Sequence, residues 1–195
     1  MYELKESDRI FIYTGPEGSG RKTVADLAGA TFSMKKVLAY TTRARRANES
    51  EGQYYHHISH EEFEAAEANG EFLEIVKIHT NLYGIKKNDV ERHLASHGSI
   101  YLVLNRQGAE MMKEIYGDQA IRFFIYADQD TVKKRQQERG LAEDVIERNL
   151  IKFNEDMAYM SACEHAFENY DLSYAMMDLT RTIEGYLQRD LLDLD

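Results

Sequence analysis

Short runs of β-branched and aromatic residues alternate along the chain with longer stretches whose apolar positions recur at helical spacing. The runs at 9–14, 36–40, 99–104, 121–126 and 172–176 are each five or six residues long and mostly apolar, as expected of strands covered on both faces. Helical patterns span 21–30, 88–96, 108–115, 130–139, 142 to about 164, and 179–192, several of them opened by Asp or Asn. This alternation is that of βαβ units and predicts an α/β fold around a five-stranded parallel core sheet.

Residues 41–81 break the pattern: half-exposed strands at 54–59 and 72–78 flank a short acidic helix at 61–68. They predict a lobe inserted into a single domain, 1–195, whose core is 1–40 and 82–195. Pro16 is the one proline, so short turns rather than a rigid linker must join lobe and core. The acidic helix reads as a solvated face.

Composition narrows the function. A 43% apolar share is enough for a sizeable core and excludes disorder. Twenty-four basic against 34 acidic residues leave a net charge of −10, which disfavours bulk nucleic-acid binding, so any anion site must be built locally. The single cysteine, Cys163, cannot form an internal disulfide and reads as a buried apolar residue. No run is long and apolar enough to span a bilayer, and the first residues lack signal-peptide character, so a cytoplasmic location is expected.

After the first strand pattern comes Gly15-Pro-Glu-Gly18-Ser-Gly20-Arg21-Lys22-Thr23, followed by a helix. A glycine loop between strand and helix is the setting in which backbone N–H groups and a helix N-terminus cradle phosphates. The working motif is G-x-x-x-x-G-K-[ST], whose lysine reaches the β/γ-phosphates and whose hydroxyl holds Mg²⁺. Here Arg21 stands at the lysine position and Lys22 at the hydroxyl position. Shifting the register to Lys22 and Thr23 turns each side chain by about 100° on the helix, so the shift requires a rebuilt loop. The strand pattern ending Val103-Leu104-Asn105 carries no carboxylate where a metal-supporting acid is needed.

The run Thr41-Thr-Arg43-Ala-Arg-Arg46-Ala-Asn-Glu49-Ser-Glu-Gly52-Gln-Tyr-Tyr55 resembles the guanylate kinase signature T-T-R-x-x-R-x-x-E-x-x-G-x-x-Y. The likeness continues through Glu74, Asn81-Leu-Tyr83-Gly84, Gln107-Gly108, Arg135 and Arg139-Gly140. It implies a P-loop nucleoside monophosphate kinase fold with an inserted GMP-binding lobe and a helical lid at about 130–170. By the resemblance Arg43, Arg46, Tyr55 and Tyr83 hold the GMP phosphate, with Glu49 beside them; guanidinium forks and phenol hydroxyls suit a dianion. Glu74 accepts the guanine N–H groups, whereas the family's three other base-reading positions carry Ala39, Ile85 and Asn105.

The donor side departs further. Arg21 and Lys22, with Arg135 and Arg139, occupy the catalytic positions; the lid arginine falls on Asn149, with Arg148 one residue away, and the adenine-side asparagine on Met176. The family cofactors are ATP and Mg²⁺, of which the Mg²⁺ ligands are altered; Lys22 keeps a positive charge where the metal would sit. Two readings follow: a weakened ATP-dependent GMP kinase, or a catalytically inactive module that binds a phosphorylated peptide or a regulatory nucleotide. No metal site is expected, since His56 and His57 point to opposite faces of a strand. The methionines and tyrosines of 157–174 read as packing for one long helix.

Overall fold

The computed structural model describes residues 2–46, 49–50 and 52–192, with side chains to 187; Ala47, Asn48 and Glu51 of the signature run lie outside the described residues. Nine strands and seven α-helices follow in order. They are β1 (Arg9–Thr14), α1 (Arg21–Thr31), β2 (Lys35–Lys36), β3 (Ala39–Thr41), β4 (Tyr55–His57), α2 (His60–Ala68), β5 (Phe72–Ile78), β6 (Asn81–Lys86), α3 (Lys87–His97), β7 (Ser99–Val103), α4 (Arg106–Tyr116), β8 (Ala120–Tyr126), α5 (Gln129–Glu138), α6 (Glu143–Ala158), β9 (His165–Glu168) and α7 (Leu172–Leu192).

Five strands form the core sheet in the order β2-β7-β1-β8-β9, and every pair is parallel. Strand alternation divides β1 between two cores. Ile10 and Ile12 pack with Leu102, Val90, Leu94 and Met112 under α3 and α4. Phe11 and Tyr13 pack with Phe123, Val24, Leu179 and Ile183 under α1 and α7. With both faces covered, the central strands are buried throughout, which is why their sequence is a continuous apolar run rather than an alternating one.

Four more strands form a second sheet in the order β4-β3-β6-β5, parallel at β3–β4 and antiparallel elsewhere. Helix α2 covers it with Phe63 stacked on Phe72, ring centroids 4.4 Å apart. The capping box of Ser59 and Glu62 starts that helix, satisfying one backbone N–H at each end of the reciprocal pair.

Four expectations are corrected. The strand expected at 36–40 divides: β2 belongs to the core, and after Val37 and Leu38 the chain enters the second sheet as β3. The fifth core strand is β9, whereas 172–176 opens α7, because the Asp171 carboxylate accepts the N–H of Ser173 and of Tyr174 and starts a helix there. The helix expected to 164 ends at Ala158, and Tyr170 and Tyr174 are 71% and 70% exposed rather than packed. Cys163 is half-buried rather than buried, and burial raises its thiol to about 12, far from thiolate chemistry.

Candidate functional site

The loop between β1 and α1 contains three glycines at positive φ, Gly15, Gly18 and Gly20. A Cβ on Gly15 would stand 2.1 Å from the Ile125 carbonyl oxygen, and one on Gly20 would stand 2.4 Å from Asn169 Nδ2. Glycine is therefore required for the close backbone approach as well as for φ. Helix α1 has no side-chain cap and no acid in its first turn, so its first N–H groups remain for an anion. Ser19 is fully buried, and its hydroxyl has no partner among the described residues.

The loop's own polar groups are bound from outside. The Ser19 carbonyl accepts from Asn169 Nδ2 at 2.7 Å and from Arg135 at 3.5 Å. The Glu17 carbonyl accepts from Gln136 Nε2, whose amide oxygen in turn accepts from Asn149 Nδ2 at 2.7 Å. Asn149 thus acts through Gln136 on the loop backbone.

Arg21 turns back into the loop. Its guanidinium donates to the Gly15 carbonyl at 2.7 Å, to the Leu104 carbonyl at 3.4 Å and to the Glu17 carboxylate at 2.8 Å. Arg21 holds Glu17 below the usual carboxylate range, with Lys22 and Arg139 adding to the effect. Lys22 reaches the other way: its Nζ lies 4.9 Å from the Tyr54 ring centroid and 5.4 Å from that of Tyr55. Burial lowers its pKa. Thr23 is exposed.

On the second sheet Arg43 forks onto Glu49 at 3.0 and 2.9 Å and lies 5.4 Å from the Tyr55 ring centroid. Tyr55 meets Tyr83 edge to face at 5.6 Å. Glu49 also accepts the Arg46 backbone N–H at 3.1 Å, while the Arg46 side chain is exposed. Burial pushes Glu49 upward, but the bonds from Arg46 and Arg43 outweigh it and hold the carboxylate low. Burial raises both tyrosines, so they stay protonated donors. Tyr55 feels the charges of both Arg21 and Arg43, and the loop and the arginine cluster therefore meet at its ring. Arg139 is exposed, and Met176 packs against the α1–α7 core.

A narrow cavity between the sheets is lined by Lys22, Ala39, Tyr55, Ile85, Val103 and Leu104. A larger groove of about 670 Å³ lies behind β4, with His56, Asp89 and Arg92 in its wall; alternation places it on the face opposite Tyr55. Deeper in, Glu74 is 3% exposed, and its Oε2 has no partner among the described residues. The register of β5 shifts between Phe72 and Glu74, a bulge of the kind that re-aims a side chain.

Burial pushes the Glu74 carboxyl up to about 7 from an ordinary 4.5. The folded protein then holds this proton more tightly than the unfolded chain. Its contribution to stability is complete below about pH 4.5 and is lost as pH rises to about 7, on the order of 3 kcal/mol in all. Glu74→Gln, compared with wild type by urea unfolding at pH 5 and pH 8, should remove that component of the slope. Equal pH slopes in the two proteins would rule out a buried acid.

Three residues of this site are not signalled by the sequence pattern: Glu17, Gln136 and Asn169. Asn169 follows the short strand β9 and is 4% exposed; the available signal was a polar side chain at the carboxyl end of a parallel strand, where such sheets place their ligands.

A parallel sheet with a glycine loop opening its first helix, and an inserted sheet bringing arginines and tyrosines to that loop, defines the P-loop nucleoside monophosphate kinase fold. The guanylate kinase family model matches residues 7–186, and the chain belongs to that family. It is 28% identical over 178 residues to the guanylate kinase of Nitrosomonas europaea, covering 90% of this chain and 89% of that one. With the guanylate kinase of Dechloromonas aromatica the identity is 31% over 179 residues, covering 90% and 88%. The crystal structure of guanylate kinase from Anaplasma phagocytophilum superposes with a TM-score of 0.75 at 23% identity, over 93% of this chain and 87% of that one. No helix among the described residues is long and apolar enough to cross a membrane.

Proposed function

We propose that this protein binds a nucleoside monophosphate such as GMP through Arg43, Arg46, Tyr55 and Tyr83, and that its transfer of phosphate from ATP is weak. The observation that carries the first half is the junction at Tyr55, where Arg43, oriented by Glu49, and Lys22 from the loop each lie 5.4 Å from one ring centroid. Three cationic side chains and two phenols around one opening suit a phosphate dianion.

The second half rests on the donor side. The loop cation at Arg21 is bonded to its own loop carbonyls and to Glu17, the hydroxyl position holds Lys22, and the strand carries Val103 where an acid would support Mg²⁺. Calorimetry separates the two halves. GMP should bind without added metal, and ATP with Mg²⁺ should bind far more weakly than GMP. A micromolar, Mg²⁺-dependent affinity for ATP would show that the loop works through Lys22 and Thr23.

A further inference from the structure

Lys22 is a half-buried cation without an anion. Its Nζ has no hydrogen-bond or ion-pair partner among the described residues and rests instead against two rings, 4.9 Å from the Tyr54 centroid and 5.4 Å from that of Tyr55. The two carboxylates whose charge it feels, Glu17 in the loop and Glu49 in the inserted lobe, are already bonded to Arg21 and Arg43. An ammonium withdrawn from water needs a counter-charge, and both neighbouring carboxylates are committed elsewhere.

The rings keep this ammonium in place. Position 54 is free in the guanylate kinase signature, which specifies Tyr55, and the family loop carries a hydroxyl at position 22, so neither partner of the Lys22–Tyr54 contact is part of the family pattern. Tyr54 is itself held from the core. Lys36 Nζ lies 5.7 Å from the same ring centroid and is anchored by Asp26 at 2.7 Å, which also accepts from the Tyr101 hydroxyl at 3.0 Å. A cation over an aromatic face is attracted by the ring without giving up its charge or its N–H donors. Lys22 and Lys36 are the charged residues lining the narrow cavity between the sheets, whose remaining wall is tyrosine and aliphatic. Lys36 has Asp26, and Lys22 is left for whatever enters.

We infer that Lys22 serves the acceptor: its ammonium binds the phosphate of the incoming monophosphate together with Arg43 and Arg46, and Tyr54 is the positioning residue that holds it there. This rests on the monophosphate reading above and adds to it a task for Lys22 and Tyr54 that the resemblance does not assign. The lysine thus replaces the metal-holding hydroxyl with a group that works on the other substrate.

The experiment is calorimetry of GMP without added metal on the full chain, as wild type, Lys22→Met, Tyr54→Phe, Tyr54→Leu and the Lys22→Met, Tyr54→Leu pair, with thermal melts to establish folding; Lys22→Gln serves if Lys22→Met does not fold. Lys22→Met should weaken GMP binding at least about tenfold, the effect of losing a charge-assisted bond. Tyr54→Leu should weaken it about fivefold, and Tyr54→Phe should leave it unchanged, because phenylalanine keeps the aromatic face. With Lys22→Met already present, Tyr54→Leu should have no further effect, since the ring acts through the ammonium. Burial lowers the Lys22 pKa and a bound phosphate raises it again, so affinity is greatest where free Lys22 is protonated and falls as pH rises through its pKa. Between pH 7 and 10 the wild-type affinity should therefore fall more steeply than that of Lys22→Met. Equal GMP affinity in wild type and the folded lysine variant overturns the inference, as do additive losses in the pair, which would make Tyr54 a structural residue. If GMP does not bind wild type at all, the monophosphate reading fails and the inference with it, a result distinct from the other two.

Discussion

Turnover of GMP with ATP should be at least about a thousandfold lower than an intact set of groups would give, and Arg21→Lys, Lys22→Ser and Val103→Asp made together should raise it. Phosphoryl transfer depends on charge placed before the reaction begins, and single groups of this kind are worth on the order of 10²–10³ in rate. Arg21 does not supply that charge in the described arrangement. Its guanidinium donates to the Gly15 and Leu104 carbonyls and pairs with Glu17, so bringing it to a γ-phosphate means breaking an ion pair formed inside the loop. Val103, half-buried at the end of β7, offers no side-chain oxygen to a metal. Groups that act as a unit are non-additive, so the single repairs should do little and the triple substitution should exceed their product. A coupled ADP-release assay decides the matter: about 1 s⁻¹ or more in the unmodified protein, the usual range for enzymes, would refute the argument.

Removing the phosphate should weaken GMP binding by about a thousandfold, several charge-assisted bonds at ~1.5–3 kcal/mol each being lost together. Changing the base should matter less, because Ile85, the cross-strand partner of Glu74, is apolar and fully buried and offers a base edge no hydrogen bond. Arg46→Ala is the cleaner probe of the phosphate residues. The Arg46 side chain is exposed, whereas the Arg43 guanidinium, 15% exposed, also neutralises Glu49 at 7%, so Arg43→Ala mixes binding with the cost of a stranded carboxylate. Arg46→Ala should lower GMP affinity at least tenfold with an unchanged melting temperature. Guanosine binding as well as GMP, or an Arg46→Ala variant with full GMP affinity, contradicts the assignment. A phosphoserine peptide that competes as well as GMP would favour a module that recognises phosphorylated protein.

The core was legible in the sequence wherever a segment is covered on both faces. β1, β7 and β8 are continuous apolar runs because layers of helix sit on either side of them. The edges were not. β9 has one buried side chain, Phe167, in four residues, too little pattern to outweigh the apolar text of 172–176, which Asp171 turns into a helix. The turn from β2 into β3 was hidden for a similar reason: 37–40 is apolar throughout, and nothing local marks the change of sheet at Val37 and Leu38. Within the candidate site, the arginines and tyrosines were singled out by the resemblance to the guanylate kinase signature. The inward turn of Arg21 was not, since it depends on the carbonyls of Gly15 and of Leu104, the latter 83 positions away, and periodicity carries no trace of such a pairing.

The bracing of the glycine loop bears on the thermodynamics of anything that enters it. Asn169 and Arg135 hold the Ser19 carbonyl, Gln136 holds that of Glu17, and Ile125 stands against Gly15. Ordering a free backbone costs ~1–2 kcal/mol per residue, and in this loop that cost falls within folding, before any ligand arrives. An anion therefore meets a rigid cradle, and its association carries little of the unfavourable entropy that a mobile loop would impose. The same rigidity sets a limit on choice. A loop that cannot reshape itself admits only ions matching the cradle as built, so its selectivity was determined when β9 and α5 docked against it.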